Sequence, residues 1–258
     1  MDALRCVLLL YAATTERGPP LVKIAQRSPV IPLRDTVPSR TFPIVNITLV
    51  VINCLVFLYE LSLGLGLSPF IDHYGIIPAR FFNARMVSDM ITPLFSFMFL
   101  HGGWLHVISN MLYLWIFGDN VEDRMGHFGY LIFYLICGMA SGLVQLFISP
   151  ASRIPIVGAS GAIAGVMGAY LALYPFGRVV TLIFFFIFIE VVQIPAFFFL
   201  VFWFVLQFFS GALSTAGQEG GVAWWAHVGG FLCGLIMVLP FTRRKKSARW
   251  AIRKRHPW

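Results

Sequence analysis

Apolar segments of about 20 residues recur along this chain, which is the length that an α-helix needs to cross the hydrocarbon core of a bilayer. Charged residues make up only 12% of the 258 residues, whereas about a quarter is usual for a soluble domain. The sequence therefore predicts an all-α membrane protein that crosses the bilayer several times.

Six such segments fit between the polar stretches of the chain. They are residues 44–64, 104–117, 128–148, 159–176, 196–213 and 224–241. Residues 65–101 are partly apolar, which favours a structured segment in the membrane interface. Residues 179–195 are predicted to form an interfacial or re-entrant piece before the fifth span. Residues 43–241 would then form a bundle of six transmembrane helices.

Positive charge is concentrated at the two ends of the chain. Of the 19 Lys and Arg residues, eight follow residue 242 and six precede residue 41. Positive residues that flank membrane spans remain in the cytoplasm. The N-terminal tail (1–42), predicted to be poorly ordered, and the basic tail (242–258) are therefore predicted to be cytoplasmic, which requires an even number of spans. The net charge of +8 favours contact with anionic lipid and does not indicate nucleic acid binding.

Polar side chains lie near one end of the second, fourth and sixth spans. His106 and Asn110 fall in the first two turns of the second span, Ser160 in the first turn of the fourth and His227 in the first turn of the sixth. With a cytoplasmic N-terminus, all three spans enter from the outside. The four side chains are therefore predicted to lie at similar depths below the outer surface.

The fourth and sixth spans each carry a GxxxG pair, which lets two helix backbones come into contact. The pairs are Gly161 with Gly165 and Gly230 with Gly234. Ser160 adjoins the first strip and His227 lies on the face of the second, so close packing would bring the hydroxyl and the imidazole together. A neutral histidine within hydrogen-bond reach can take the serine proton. No Asp or Glu lies near that depth in these three spans, so a Ser–His dyad is predicted.

Donors for a developing oxyanion are also available at this depth. The start of the fourth helix would supply free backbone N–H groups and a favourable dipole. Asn110 and His106, four residues apart on one helix face, would add side-chain donors. Two acidic residues, Glu60 and Glu190, are predicted to lie at the membrane interfaces. The cysteines have no CxxC spacing, and no metal or cofactor is predicted.

Three motifs, HGGWLHVISNM, VGASGAIAG and AHVGGFLCG, resemble the signatures of rhomboid intramembrane serine proteases, as does EDR followed by Gly126. The family patterns are HxxxN in the second span, GxSG at the start of the fourth and AHxxGxxxG in the sixth, and the resemblance covers residues 31–241. It implies a six-helix bundle whose active site opens to water from outside. The residues that it implies are Ser160 as nucleophile, His227 as general base, His106, Asn110 and the Ser160 backbone N–H as the oxyanion hole, and Gly158, Gly161, Gly230 and Gly234 as motif and packing residues.

The resemblance further implies that substrates are membrane proteins with a single span and that residues 196–223 form the substrate gate. His101 matches a second histidine found in many bacterial members. The Trp-Arg pair that many members carry in the first external loop is absent from this sequence. Two other functions stay open, namely a catalytically silent relative that binds membrane clients and a small transporter or channel. The compact length favours a prokaryotic plasma membrane.

Overall fold

The computed structural model describes residues 30–185, 188–214 and 222–242. The rest of the two predicted tails (1–29 and 243–258) and part of the predicted gate (215–221) lie outside the described residues. The helices are α1 (Ile44–Ser62), α2 (Leu67–Tyr74), α3 (Pro78–Phe81), α4 (Ser88–Ser96), α5 (Trp104–Met125), α6 (His127–Ile148), α7 (Ser160–Leu173), α8 (Ala196–Leu213) and α9 (Trp224–Met237). The strands are β1 (Val30–Asp35), β2 (Arg178–Phe185) and β3 (Phe188–Pro195).

Three of the described helices, α1, α6 and α8, are long and apolar enough to cross a membrane on their own. A fourth span is possible if α4, its following 3₁₀ turn and α5 are counted together, although this pair is bent by 80°. The helices α7 and α9 are apolar but have only 14 residues each. At about 1.5 Å per residue they are shorter than a hydrocarbon core of about 30 Å. Length and composition therefore do not establish the predicted count of six spans.

The helix α7 differs from the predicted fourth span because protein covers most of it. Every residue from 161 to 170 in α7 is buried, so this helix lies inside the bundle and its length does not have to match the lipid. The predicted fourth span, 159–176, ends too late, because the helix stops at Leu173 and the chain turns toward β2. The predicted sixth span, 224–241, is likewise longer than α9.

The close packing of α7 against α9 depends on the predicted glycine strips. A Cβ on Gly230 would overlap the carbonyl oxygen of Gly161, and a Cβ on Gly234 would overlap that of Gly165. These atoms belong to backbone, which cannot move aside as a flexible side chain could. The two GxxxG pairs therefore allow a helix approach that side chains would prevent, and this confirms the predicted contact between the fourth and sixth segments.

The second apolar segment continues as helix well beyond its predicted end at residue 117. The helix α5 runs to Met125, through residues predicted as a polar turn. Glu122, which is fully buried, accepts hydrogen bonds from the backbone N–H groups of Val45 at 3.0 Å and Asn46 at 2.7 Å. These groups are at the start of α1, where a helix has unpaired N–H groups and favours negative charge. Glu122 thus caps a neighbouring helix.

A three-stranded antiparallel sheet in the order β1-β2-β3 accompanies the helices, and Val179 and Thr181 of β2 are fully buried. Residues 30–35, predicted to be part of a poorly ordered tail, form β1, so that prediction is wrong for this segment. Residues 179–185 and 188–195, predicted to belong to an interfacial or re-entrant piece, pair as the antiparallel strands β2 and β3. The sequence RVVTLIFF is rich in β-branched residues, which favour a strand.

Asp35 joins this sheet to the helices. Its Oδ2 atom accepts hydrogen bonds from the Tyr170 hydroxyl at 2.6 Å and from the Asn120 amide at 2.9 Å. Burial raises the pKa of Asp35 to about 6, and the nearby charge of Asp119 acts in the same direction. The end of β1 is therefore held against α5 and α7 by a partly buried carboxyl group.

Candidate active site

Ser160 and His227 are brought into direct contact by the packing of α7 on α9. The Nε2 atom of His227 lies 2.7 Å from the Oγ atom of Ser160, which is a normal hydrogen-bond distance. Ser160 is the first residue of α7 and His227 is in the first turn of α9, and both side chains are partly buried. The structure therefore brings the two residues of the predicted dyad together.

The other nitrogen of His227 has a partner that the sequence analysis missed. Its Nδ1 atom lies 2.8 Å from Oε1 of Gln207, which is in α8 and only 8% exposed. Gln207 is a single amide in the segment AFFFLVFWFVLQFFSGAL, and an isolated polar residue in such a helix is a signal that could have found it. The ring of Trp203, one turn earlier, lies 5.9 Å from the imidazole.

His106 and Asn110 lie beside the residues that lead into Ser160. A Cβ on Gly158 would be 2.6 Å from Nε2 of His106 and 3.7 Å from Nδ2 of Asn110. The Nδ1 atom of His106 accepts a hydrogen bond from the backbone N–H of Gly102 at 3.4 Å, so the neutral ring carries its proton on Nε2. Both predicted donors thus direct N–H groups toward the GxSG segment.

Gly158 has a backbone conformation that makes these contacts possible. Its φ of 126° lies in a region that residues with a side chain rarely adopt. Its N–H donates to the carbonyl oxygen of Phe97 at 2.9 Å, which fixes the segment before α7 against the 3₁₀ turn that precedes α5. The first glycine of GxSG therefore sets the position at which Ser160 enters the helix.

His101 belongs to a buried group behind Asn110. Its Nε2 atom lies 3.1 Å from Nδ2 of Asn110, and its backbone N–H lies 3.2 Å from both carboxylate oxygens of Glu60. Glu60, near the end of α1, is only 2% exposed, so other parts of the protein cover its side chain. The hydrogen bond that the buried carboxylate accepts from the backbone N–H of His101 offsets part of the cost of its burial. Glu190, by contrast, is exposed on β3.

A family model described as the Rhomboid domain matches residues 88–244, which contain all of the predicted site residues. The chain belongs to the rhomboid family. It is a membrane-embedded rhomboid with a mostly helical fold and apolar helices, and the described part of the chain contains three or four candidate spans.

Named rhomboids from three organisms are similar to this one. The mitochondrial rhomboid protein 1 of Saccharomyces cerevisiae is 28% identical over 171 residues, which are 61% of this chain and 45% of that protein. The human mitochondrial presenilin-associated rhomboid-like protein is 27% identical over 172 residues, 62% of this chain and 40% of that protein. The chloroplastic rhomboid-like protein 11 of Arabidopsis thaliana is 42% identical over 67 residues, 26% of this chain and 24% of that protein.

This rhomboid therefore spans less than half the length of the curated relatives it matches. The names of these relatives place them in mitochondria or chloroplasts, and they give no support to the prokaryotic plasma membrane that the length favoured. Among the described residues, no group of three or more His, Cys, Asp or Glu side chains is placed to hold a metal ion.

Proposed function

We propose that this rhomboid is an intramembrane serine endopeptidase that cleaves peptide bonds in or beside the membrane span of other proteins. The observation that carries the proposal is the 2.7 Å contact between Ser160 Oγ and His227 Nε2 at the start of α7. A neutral imidazole at this distance can act as general base for the hydroxyl.

In the first half of the reaction, Ser160 Oγ attacks the carbonyl carbon of the peptide bond and its proton moves to Nε2 of His227. Negative charge develops on the carbonyl oxygen. The backbone N–H of Ser160, at a helix N-terminus, together with the amide of Asn110 and Nε2–H of His106, would stabilise it. The C–N bond then breaks, and the imidazolium gives its proton to the leaving amine.

In the second half, water attacks the acyl-enzyme ester and gives a proton to His227. The ester bond breaks, and Ser160 recovers the proton from the imidazolium. A carbonyl in a membrane helix is hydrogen-bonded within that helix, so the substrate must unwind locally before it can react. We therefore expect substrates with small or helix-breaking residues near the outer face of the membrane, which in this proposal is the side on which α7 begins.

A cleavage assay in liposomes tests this function. The substrates are single-span proteins that differ only in whether Gly or Pro residues interrupt the outer part of the span. Wild type should cleave the interrupted spans and bind a fluorophosphonate at Ser160, whereas Ser160→Ala and His227→Ala should do neither. Ser62→Ala is the matched control, since its exposed hydroxyl donates to a helix carbonyl in α1, away from the site.

Two outcomes would favour the other functions. Capture of spans by wild type without cleavage or labelling would indicate a client-binding relative. Solute flux in vesicles that persists in Ser160→Ala, again without cleavage, would indicate a transporter or channel. Cell fractionation would identify the membrane in which the protein acts. Comparison of the membrane proteins of cells with and without active enzyme would identify its natural substrates.

A further inference from the structure

Gln207 is a buried amide on an otherwise apolar helix. It is 8% exposed, and its α8 neighbours on both sides are Phe, Leu and Val. A primary amide without a partner is costly in such surroundings, because neither lipid nor apolar side chains can replace its hydrogen bonds with water. The contact that its oxygen makes is therefore a strong constraint on the packing of α8 and α9.

That contact also determines which nitrogen of His227 carries the proton. A neutral imidazole has one N–H, and an amide oxygen can only accept a hydrogen bond. Since Oε1 of Gln207 lies 2.8 Å from Nδ1, the proton belongs on Nδ1 and the lone pair on Nε2. Nε2 is the atom 2.7 Å from Ser160 Oγ, so this tautomer is the one that can accept the serine proton.

Packing between α8 and α9 holds the amide in this position. The rings of Phe204 and Phe231 lie 4.8 Å apart, and Phe208 packs against Trp225 at 5.6 Å. Gln207 lies between Phe204 and Phe208 along α8. The amide is therefore fixed on both sides by aromatic contacts to the helix that carries His227.

We propose that Gln207 is a positioning residue that holds His227 in the base-competent tautomer, so that the site works as a Ser–His–Gln arrangement rather than an isolated dyad. The inference rests on the proposed protease function. In a Ser–His–Asp site, the acceptor at Nδ1 orients the ring and selects its tautomer. Gln207 supplies that acceptor without a charge, from a helix that neither Ser160 nor His227 belongs to.

Kinetics of two Gln207 variants test the role in catalysis. Gln207→Met keeps the length of the side chain and removes the amide oxygen, and its kcat should fall about tenfold with little change in KM. Gln207→Glu keeps a hydrogen-bond acceptor for Nδ1–H of His227, so at high pH its kcat should exceed that of Gln207→Met. The acidic limb of the plot of kcat against pH should move to higher pH in Gln207→Glu, because a carboxylate stabilises the protonated imidazole. His106, the neighbouring titratable group from α5, is unchanged in both of these variants.

Gly211→Ala is the matched control for helix packing. Its new Cβ would lie 3.1 to 3.3 Å from the side chains of Trp224 and Trp225, so it disturbs the contact of α8 with α9 and leaves the amide in place. It should leave the pH profile unchanged. A Gly211→Ala profile that matches those of the Gln207 variants would overturn the inference in favour of a purely structural role.

A spectroscopic measurement tests the contact separately from turnover. In protein labelled with ¹⁵N-histidine, wild type should show His227 protonated at Nδ1, and Gln207→Met should show a mixture of tautomers. A wild-type His227 protonated at Nε2 would overturn the inference. Full activity with an unchanged pH profile in Gln207→Met would also overturn it and leave the protease function intact, whereas an inactive wild type would overturn the protease function.

Discussion

A Cβ on Gly158 would lie 2.6 Å from Nε2 of His106, so no side chain fits between this residue and the ring. Gly158 also has a φ of 126°. Gly158→Ala is therefore expected to displace His106 or the segment before Ser160, and to lower kcat by about 10²- to 10³-fold, as for loss of an oxyanion donor. The measurement is kcat in the liposome assay, together with the unfolding temperature in detergent.

Gly129→Ala serves as the control for this substitution. Gly129 is in α6, and the nearest atom to its new Cβ is 3.7 Å away, an ordinary contact. The helix should tolerate it, since alanine favours helix more than glycine does. Full activity in Gly158→Ala would show that the close approach of His106 has no part in the reaction.

Removal of the Asn110 amide is expected to lower kcat by about 10²- to 10³-fold with little effect on KM, because an oxyanion donor acts mainly in the transition state. Asn110→Ala would also release Nε2 of His101, which lies 3.1 Å from the amide. Steady-state kinetics on one substrate give both parameters. If KM rises and kcat does not change, Asn110 binds the substrate in its ground state, and its place in the oxyanion hole is wrong.

Gly234→Ala is expected to destabilise the protein by about 1–3 kcal/mol, because the new methyl group would meet the backbone of Gly165 in α7. Separation of α7 from α9 should also lengthen the contact between Ser160 and His227 and slow fluorophosphonate labelling. Leu232→Ala is the control on the same helix, since Leu232 is 43% exposed and faces away from α7. An unfolding temperature for Gly234→Ala equal to that of the control would contradict the predicted packing.

Asp35 should make the stability of the fold depend on pH. Its pKa is raised from 3.8 to about 6 by burial, so the folded state favours the protonated carboxyl group. An acidic group whose pKa is raised by folding adds to the free energy of unfolding below about pH 4, and this contribution is lost as the pH rises through about 6. Asp35→Asn, which is neutral throughout, should remove this loss.

Unfolding temperatures at pH 4, 5, 6 and 8 check the prediction for Asp35. Glu190→Gln is the control, because it removes a negative charge from an exposed position on β3. The prediction fails if wild type and Asp35→Asn show the same pH dependence between pH 4 and 8.

The apolar segments and the Ser–His contact were predictable because both depend on local patterns. The length of a segment indicates a span, and a GxxxG strip indicates where two helices can touch. The hydrogen-bond partners of Glu60 and Gln207 were not predicted because each partner lies in another part of the fold. The acceptor for the His101 N–H and the acceptor for His227 Nδ1 are 41 and 20 residues away from their donors.

The sheet could not be predicted for a related reason. Strand β1 pairs with β2, so that Val30 lies opposite Ile183, and no local pattern in an N-terminal tail specifies a partner so distant in the chain. The continuation of α5 through its acidic end has the same origin, since Glu122 is stabilised there by the N–H groups that begin α1.

The sequence by itself determined that the chain is apolar and helical and that Ser160 and His227 have glycine strips on which to meet. The reason is that segment length, glycine spacing and motif order are properties of neighbouring residues. Only the tertiary structure decided that α7 and α9 have just 14 residues each, that the Glu60 side chain is buried, and that an amide from a third helix accepts a hydrogen bond from Nδ1–H of His227. Those features depend on which elements pack together, and a hydrogen bond between helices exists only after they have done so.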